Sequence, residues 1–430
     1  MPEKLEYLDC CKEPMLETTM PLRKLCHETE SIRQCRHCGQ YWYYLLRETL
    51  HQGASLDRIA WCCRLTPEEV GLFANAPHPE RDRLTDQKLG ILRDEDGVHA
   101  DARRPSDKPN EDFLVSELSL DHLVLRYCRQ VIMQAMDYVR SRMREENLPA
   151  LRSCVKNPQV QKSEQNLTKA IDQETEALIL SALQRKFAKL RGIRAYTVFS
   201  EELGIKTFPE GTREADADLV VFIDPIDGTE FVEALQGGWA LISVYDRRTN
   251  EVIAAVAGDI FLDRIYWATK GGYAECLDFI THSWFRLDGG TNPRTSLAGA
   301  RVNVLTTKVD RYRALSEQTA LLNAIREADG RVNLSWGSNT IIQVAAGYAD
   351  VAIEFAKGFA TYDILPGFYI GLKTGLTILD LSGKPITTRL DIDDIFAAFR
   401  RDPKHPKRTP FVAAKDPALA EQVVRLLKRA

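Results

Sequence analysis

The sequence of 430 residues is long enough for roughly two or three domains with sizeable buried cores. Its apolar fraction of 44% and charged fraction of 27% are ordinary for globular chains, which excludes wholesale disorder and collagen-like or mucin-like classes. The 57 basic and 61 acidic residues leave a formal charge of −4, so there is no general electrostatic attraction to nucleic acid or acidic lipid.

Residues 1–100 are predicted to form a small, mainly helical, zinc-binding domain, because seven of the ten cysteines lie before residue 64. Cys35-Arg36-His37-Cys38-Gly39 is a CxxCG knuckle, a tight turn that points two thiolates at one tetrahedral metal. Reduced buried thiols and a redox CxxC are the alternatives, and no thioredoxin-like βαβ pattern follows to favour the latter. The remaining ligands of a structural Zn²⁺ are left open among Cys10, Cys11, Cys26 and His27.

The other cysteines are predicted to be core residues. Cys62 and Cys63 follow a predicted amphipathic helix and precede Thr66-Pro67, an N-cap with proline at the first helical position. Isolated cysteines are usually small buried hydrophobic side chains, and we expect this of three. They are Cys128, Cys154 and Cys276.

A polar stretch with Pro105 and Pro109 predicts a linker over residues 101–112 and a second domain over 113–430. The second domain opens with an apolar stripe at helical spacing from Val124 to Val139. Strands and helices then come in blocks, which predicts a layered α+β or α/β domain with mixed sheets. The predicted strands are 194–199, 218–223, 239–245, 251–257 and 263–268, and the predicted helices are 171–190, 312–328, 339–346 and 362–374.

The most informative string is Asp224-Pro225-Ile226-Asp227-Gly228-Thr229, which follows a continuous apolar run at 219–223. Such a run is typical of a strand that is buried on both faces, so the two acids are predicted to lie at a strand end. Carboxylates beside a phosphate-binding turn are the ligands that Mg²⁺ prefers. An isolated Asp-rich turn that merely caps a helix is the alternative.

The six-residue string resembles the signature of the inositol monophosphatase family of metal-dependent, lithium-sensitive phosphatases. Other segments are similar to family segments in the same order, and the resemblance covers about residue 115 to the end. It implies an α+β fold, a layered α-β-α-β-α sandwich. The matching segments are Lys162-Ser163, Asp172, Ser200-Glu201-Glu202, Trp336-Gly337-Ser338, Gly347–Asp350 and Tyr362-Asp363.

The resemblance also implies a role for individual residues. Two or three Mg²⁺ ions per site are expected on Glu201, Asp224, the Ile226 carbonyl, Asp227 and Asp363. Thr229, Asp172 and Glu201 are the expected catalytic residues, with a hydrogen bond from Thr229 to Asp172 that orients the threonine. The expected substrate-binding residues are Gly228, Thr229, Ser338, Glu354 and Lys357.

The predicted activity is Mg²⁺-dependent hydrolysis of a small phosphomonoester by a metal-activated water. The substrate class is left open among inositol phosphates, sugar phosphates or bisphosphates and nucleotide bisphosphates. The alternative is a non-catalytic protein that binds a phosphorylated ligand and recognises a partner through its zinc module. We expect a cytoplasmic protein with no membrane or nucleic-acid partner, because no apolar run is long enough to span a bilayer and no signal peptide is evident. A homodimer is allowed.

Overall fold

The computed structural model divides the chain into two compact units, Met1–Glu117 and Leu118–Ala430. None of the helices in the described part of the chain is long and apolar enough to cross a membrane. The residues described are 3–4, 11, 15–25, 28–50, 56–76, 81, 84–85, 88–94, 97–103, 119–145, 170–281, 283–288, 293–305, 309–335, 337–403 and 405–427.

The first unit is built on an antiparallel sheet in which each strand pairs with the next one along the chain. A helix, Pro67–Asn75, follows the fifth strand. Its predicted N-cap is confirmed, since the Thr66 hydroxyl accepts a hydrogen bond from the Glu69 amide while the Glu69 carboxylate accepts one from the Thr66 amide. The strands are Glu3–Lys4, Met15–Leu25, Glu28–Cys35, Tyr41–Leu50, Leu56–Leu65, Leu89–Asp94 and Gly97–Arg103.

The prediction of a mainly helical first domain is wrong. Trp42 and Tyr44 pack in one hydrophobic cluster and Tyr43 and Leu45 in another, so alternate residues of one strand are buried on opposite faces of the sheet. A strand that is buried on both faces shows no alternation of apolar and polar residues, and its sequence is easily taken for a buried helix.

Cys62 and Cys63 are buried as predicted, but they lie within the strand Leu56–Leu65 and not after a helix. Cys128 and Cys276 are also buried, which confirms that prediction, while Cys154 lies outside the described residues. The predicted linker is corrected at its start, because residues 101–103 belong to the strand Gly97–Arg103, which pairs with Leu89–Asp94.

The second unit contains two sheets, one of eight strands and one of five among the described residues. The larger sheet runs, in spatial order, through Ser283–Arg286, Ala274–Asp278, Arg264–Thr269, Glu251–Asp259, Trp239–Asp246, Leu219–Asp227, Tyr196–Ser200 and Gly204–Phe208. The smaller sheet runs through Arg331–Ser335, Arg301–Leu305, Val351–Ala360, Arg408–Ala414 and Thr377–Leu379.

Helices separate and cover these sheets, as the layered α-β-α-β-α arrangement requires. The helix Leu120–Glu145 packs on one face of the larger sheet together with Ala170–Phe187. Thr361–Lys373 and Asn339–Ala345 lie between the sheets, in a core to which both sheets contribute. A second core covers the other face of the smaller sheet. The remaining helices are a 3₁₀ turn Glu214–Asp216, Thr229–Glu233, Val309–Glu317, Thr319–Glu327, Ile392–Arg401 and Pro417–Leu426.

The predicted elements of this unit correspond closely to the observed ones, with two exceptions. The helix predicted over 312–328 is two helices, Val309–Glu317 and Thr319–Glu327, which meet at Gln318. The strand predicted to end at 223 continues through the acidic string to Asp227.

Candidate active site

Two acidic residues meet at one edge of the larger sheet because their strands are parallel. Leu219–Asp227 pairs in parallel with Tyr196–Ser200, and Ile223 lies opposite Ser200. Asp224 follows Ile223, and Glu201 follows Ser200. The parallel pairing therefore places these two acids side by side. On its other side, Leu219–Asp227 pairs with Trp239–Asp246, and this register is irregular between Asp224 and Asp227. Pro225, which has no N–H to donate, lies within that irregularity.

Thr229 is held by hydrogen bonds immediately after this strand. Gly228 has a φ of +88°, a left-handed conformation that turns the chain into the helix Thr229–Glu233. The Thr229 hydroxyl lies 3.0 Å from Oδ1 of Asp172 and 3.1 Å from the carbonyl oxygen of Ile226, so its single proton is shared between these two acceptors. Asp172 is buried in the first turn of the helix Ala170–Phe187. The hydrogen bond that was expected between Thr229 and Asp172 is thus present.

Ser338 links the two remaining acids of the site. Its backbone N–H donates to Oδ2 of Asp227 at 3.1 Å, and its hydroxyl donates to the carbonyl oxygen of Asp363 at 2.6 Å. The same hydroxyl accepts the Gly367 amide at 3.3 Å. The carboxylate of Asp363 accepts the Ala360 amide at 3.1 Å at the start of the helix Thr361–Lys373. These bonds hold the Asp227 carboxylate against Ser338, 111 residues later in the chain, and the Asp363 carboxylate against the backbone at the start of its own helix.

The result is a compact cluster of carboxylates. Single oxygens of Glu201, Asp224 and Asp363 all lie within 4.8 Å of one another. Burial raises the pKa of Asp224 well above its ordinary value, and repulsion from Glu201, Asp227, Asp363 and Asp172 raises it further. Burial and repulsion from Asp363 raise the pKa of Asp227 in the same way, although the Ser338 amide opposes the shift.

Buried acids at such short distances repel one another unless a cation or protons neutralise them. Hard oxygen ligands in a partly buried cleft fit a small divalent cation, and Mg²⁺ is bound in proteins by one or two carboxylates together with waters and substrate oxygens. The donor set therefore fits the metal that the sequence predicts.

The comparisons with known proteins agree with this geometry. A model of the inositol monophosphatase family matches residues 121–429. The chain belongs to the inositol monophosphatase family. Members of this family are metal-dependent phosphatases, and phosphate-ester hydrolysis is the activity that membership implies. A search of curated proteins found none that matches.

Two solved structures are similar to this chain. The extragenic suppressor protein suhB from Bartonella henselae is 16% identical, covers 71% of this chain and 99% of its own, and has a TM-score of 0.50. The inositol monophosphatase from Anabaena (Nostoc) sp. PCC 7120 is 15% identical, covers 72% of this chain and 96% of its own, and has a TM-score of 0.49. At 16% identity, the likeness to the Bartonella henselae protein extends to the fold and not to the substrate.

Two of the residues expected to contact substrate, Ser338 and Glu354, are buried and form hydrogen bonds within the protein. Ser338 is fully buried, and its hydroxyl both donates and accepts as described above, so its side chain serves to join two elements. Glu354 is also buried, and its Oε1 accepts the amides of Ala356, Lys357 and Gly358 at 3.0, 2.7 and 3.0 Å. Glu354 therefore shapes the irregular part of the strand Val351–Ala360 that presents the exposed side chain of Lys357. Substrate contact by Lys357 and by Gly228 stays a prediction.

Glu176 is a buried acid of this site that the sequence did not single out. Its Oε1 accepts hydrogen bonds from the Ser200 hydroxyl and, at 3.3 Å, from the Leu203 amide, on both sides of Glu201. Burial raises the pKa of Glu176 to about 7, with repulsion from Glu202 and Glu201 adding to the shift and the Ser200 hydrogen bond opposing it. It lies one helical turn after Asp172, a spacing that places both acids on one helix face.

No individual role was expected of Gly337, which lies in the family segment Trp336-Gly337-Ser338, or of Arg408. A Cβ on Gly337 would lie 1.6 Å from Oδ2 of Asp227, so only glycine allows the carboxylate to approach the backbone there. Nη1 of Arg408 lies 3.9 Å from Oδ2 of Asp363 and donates to the carbonyl oxygen of Gly358 at 3.3 Å. This arginine is a positive charge beside the cluster, on a strand that no motif marks. Lys162, Ser163 and Trp336 of the family segments lie outside the described residues.

Three cysteines of the first unit lie close together. The sulfurs of Cys11, Cys35 and Cys38 lie within 4.8 Å of one another, whereas Cys10, Cys26 and His27 lie outside the described residues. Burial would raise the pKa of the Cys35 thiol, but hydrogen bonds from the amides of Cys38, Met15 and His37 outweigh it and lower the pKa to about 6.

Proposed function

We propose that this member of the inositol monophosphatase family hydrolyses a small phosphomonoester with Mg²⁺ as its cofactor. The observation that carries the proposal is the convergence of Glu201, Asp224 and Asp363, with oxygens within 4.8 Å of one another, near a threonine whose hydroxyl is fixed by Asp172. A carboxylate cluster alone is consistent with any hard cation, whereas the fixed hydroxyl beside it is suited to holding a reacting water.

The carboxylates of Glu201, Asp224 and Asp363 would hold one Mg²⁺, and Asp227 and the Ile226 carbonyl would supply further oxygens. When bound, Mg²⁺ lowers the pKa of water and neutralises charge on the transferred phosphoryl group and the leaving oxygen. Asp227 keeps one oxygen on the Ser338 amide, which limits the ways in which its carboxylate can turn. The Ile226 carbonyl accepts from Thr229 and retains a second lone pair.

The role of Thr229 follows from its hydrogen bonds. A hydroxyl has one proton and two lone pairs, and the proton of Thr229 is directed to Asp172 and the Ile226 carbonyl. Its oxygen is then an acceptor, so it would take a hydrogen bond from the attacking water and orient that water toward phosphorus. Thr229 is a positioning residue for the water, and Asp172 acts through Thr229.

The phosphate would be bound by the backbone amides of Gly228 and Thr229. The left-handed Gly228 directs the chain away from the strand, as in other turns whose successive amides bind anions. The helix Thr229–Glu233 has only five residues, so individual amides and not a long helix dipole would hold the anion.

The substrate class is a small phosphorylated metabolite such as an inositol phosphate, a sugar phosphate or bisphosphate, or a nucleotide bisphosphate. Lys357 lies exposed in the irregular part of the strand Val351–Ala360, six residues before Asp363 in the sequence, and it would meet a second anionic group of a bisphosphate. Replacement of Lys357 by alanine should then lower kcat/KM for bisphosphates more than for monophosphates. Equal kcat/KM losses for both classes would reject this role.

The other class of function is a non-catalytic protein that binds a phosphorylated ligand. Such a protein has no use for a hydroxyl positioned beside a metal site, and the hydrogen bond from Thr229 to Asp172 favours an enzyme. The test is a screen of these phosphate esters for inorganic phosphate release, with Mg²⁺ and after chelation, using Asp224→Asn as the inactive control. Mg²⁺-dependent release from at least one ester, suppressed by Li⁺, supports the proposal. Ligand binding without release from any ester would support the binding protein.

A further inference from the structure

Three cysteine sulfurs meet at one corner of the N-terminal sheet. Cys35 ends the strand Glu28–Cys35, and Cys38 lies in the turn that leads to the strand Tyr41–Leu50. Cys11 comes from upstream of both, and its sulfur lies 3.7 Å from that of Cys35. All three sulfurs lie within 4.8 Å of one another.

The distance between the sulfurs of Cys11 and Cys35 fits a shared metal ion and not a disulfide. A disulfide would place two sulfurs about 2.05 Å apart. Two thiolates on one tetrahedral zinc, each about 2.3 Å from the metal, lie roughly 3.8 Å apart. The observed 3.7 Å between Cys11 and Cys35 matches the edge of such a tetrahedron.

The turn between Cys35 and Gln40 has the backbone of a metal knuckle. Gly39 has a φ of +74° and donates its amide to the carbonyl oxygen of Cys35 at 2.9 Å, while the Cys35 amide donates to the carbonyl oxygen of Gln40 at 2.9 Å. Hydrogen bonds from the amides of His37 and Cys38 lower the pKa of the Cys35 thiol. This turn brings the two cysteine side chains to one side and surrounds one sulfur with donors.

Arg36, the charged residue next to Cys35 in the sequence, is paired with Glu17. Arg36 forms two hydrogen bonds to Glu17, at 2.6 and 2.8 Å, on the exposed surface. Its amide donates to the carbonyl oxygen of Met15 at 2.9 Å, which ties the turn to the neighbouring strand. Arg36 thus fixes the turn without being directed at the sulfurs, and a metal ion is the fitting counter-charge for three clustered thiolates.

We propose that Cys11, Cys35 and Cys38 bind one Zn²⁺ as thiolates, in a structural site separate from the phosphatase centre. Three thiolates form a soft ligand set that selects zinc over Mg²⁺ or Ca²⁺. The fourth position is completed by a ligand other than these three sulfurs. The metal joins the segment at Cys11 to the turn at residues 35–38, across a sheet whose two hydrophobic clusters are small. Metal binding at such a site contributes directly to folding free energy.

The test is metal analysis of the full chain purified without chelator. About one zinc per chain is expected, with loss of that zinc in Cys11→Ser, Cys35→Ser and Cys38→Ser. Cys38 is exposed, so its substitution leaves the cores intact. Cys63→Ala is the matched control, because Cys63 is buried in the same unit but belongs to the cluster on the other face of the sheet. Its zinc content should equal that of the wild type.

A second measurement needs no variant. Replacement of the metal in the wild-type chain by Co²⁺ should give the visible absorption of tetrahedral, thiolate-bound cobalt, and added Zn²⁺ should abolish it. The proposal is overturned by a wild-type chain with no zinc and no such cobalt spectrum. It is also overturned by a disulfide between Cys11 and Cys35, or by full zinc content in all three serine variants. Retention of phosphate release in a zinc-free chain would leave the catalytic proposal standing, so the two proposals fail separately.

Discussion

The hydroxyl of Thr229 donates a hydrogen bond of 3.0 Å to Oδ1 of Asp172, which lies 57 residues earlier in the chain. This bond connects the turn after the strand Leu219–Asp227 to the first turn of the helix Ala170–Phe187. If a residue acts only through another, its substitution should have no further effect once the partner has been substituted. The relation between these two residues can therefore be tested by a double-mutant cycle.

We expect Thr229→Ala and Asp172→Ala each to lower kcat by roughly 100-fold, because the reacting water is bound but poorly aligned. The double variant should lose little more than either single variant. Mg²⁺ affinity, measured by calorimetry, should stay close to that of the wild type, since neither residue is a proposed ligand. Losses in kcat that multiply in the double variant would show that Asp172 and Thr229 act independently.

Asp172→Asn separates geometry from charge. Asparagine keeps an acceptor oxygen where Oδ1 of Asp172 accepts the Thr229 hydrogen bond. If the role of Asp172 is to orient this hydroxyl, the asparagine variant should retain much more kcat than the alanine variant. Equal kcat losses in Asp172→Asn and Asp172→Ala would mean that its negative charge is needed.

Asp224→Asn should have opposite effects on catalysis and on stability. The variant loses a proposed Mg²⁺ ligand, so phosphate release and the Mg²⁺-induced rise in Tm should disappear. Without metal and at alkaline pH, where the raised pKa of Asp224 still allows it to ionise, the same change removes a buried charge that Glu201, Asp227 and Asp363 repel, so Tm in chelator should rise by a few degrees. Asp216→Asn, an exposed acid paired with Arg213, is the control and should keep both activity and the Mg²⁺ response. A lower Tm for Asp224→Asn in chelator would contradict the repulsion argument.

Gly337→Ala should damage the metal site through a steric clash. The new Cβ would lie 1.6 Å from Oδ2 of Asp227, so this carboxylate or the chain must shift, and Mg²⁺ affinity and kcat should both fall. Gly337 has a φ of +51°, and alanine in that region costs roughly 1–2 kcal/mol by itself. Gly192→Ala is the matched control, because Gly192 has a φ of +77° with no atom within 4 Å of the new Cβ. It should lose stability but not Mg²⁺ affinity, and equal affinity losses in both variants would reject the clash.

The acids other than Glu176 could be identified from the sequence, because each one lies in a short local string that resembles a family segment. Gly337 and Ser338 could not be understood in that way. Their importance depends on Asp227, which lies 111 residues before Ser338 and reaches it only through the tertiary fold. Arg408 is hidden for the same reason, since its distance to Asp363 follows from the pairing of Ala360 with Arg408 across two strands.

The pKa of Glu176 predicts a dependence of stability on pH. The pKa of Glu176 is about 7 in the folded chain, above its ordinary 4.5. Between pH 4.5 and 7 the folded chain therefore binds a proton that the unfolded chain has lost. The stability that Glu176 contributes to the folded chain is fully present below pH 4.5 and is lost as the pH rises through 7. Above pH 7 the buried charge costs on the order of 3 kcal/mol.

Glu176→Gln keeps an acceptor for Ser200 and Leu203 but cannot ionise. In chelator, its Tm relative to the wild type should rise as the pH increases from 4.5 to 7. The exposed Glu317 provides the control for the substitution itself, and Glu317→Gln should leave the Tm at pH 7 close to that of the wild type. A Tm difference for Glu176→Gln that is constant over this range would contradict the raised pKa.

The N-terminal sheet shows where the sequence pattern is insufficient. Tyr41–Leu50 and Leu56–Leu65 pair along their whole length and bury residues on both faces, so the twofold alternation that marks a half-exposed strand is absent. The knuckle at Cys35 was recognisable because its spacing is local. Its approach to Cys11 was one of several open pairings, because that contact depends on how the strands Met15–Leu25 and Glu28–Cys35 align.

The most direct test of the central claim is the rate of phosphate release as Mg²⁺ is added back to chelated wild-type protein, with Asp224→Asn measured in parallel. The account predicts no release in chelator, a saturable rise with Mg²⁺ in the wild type and no rise in the variant. Release from the chelated wild type at the full rate, or an Mg²⁺-dependent rise of equal size in Asp224→Asn, would contradict it.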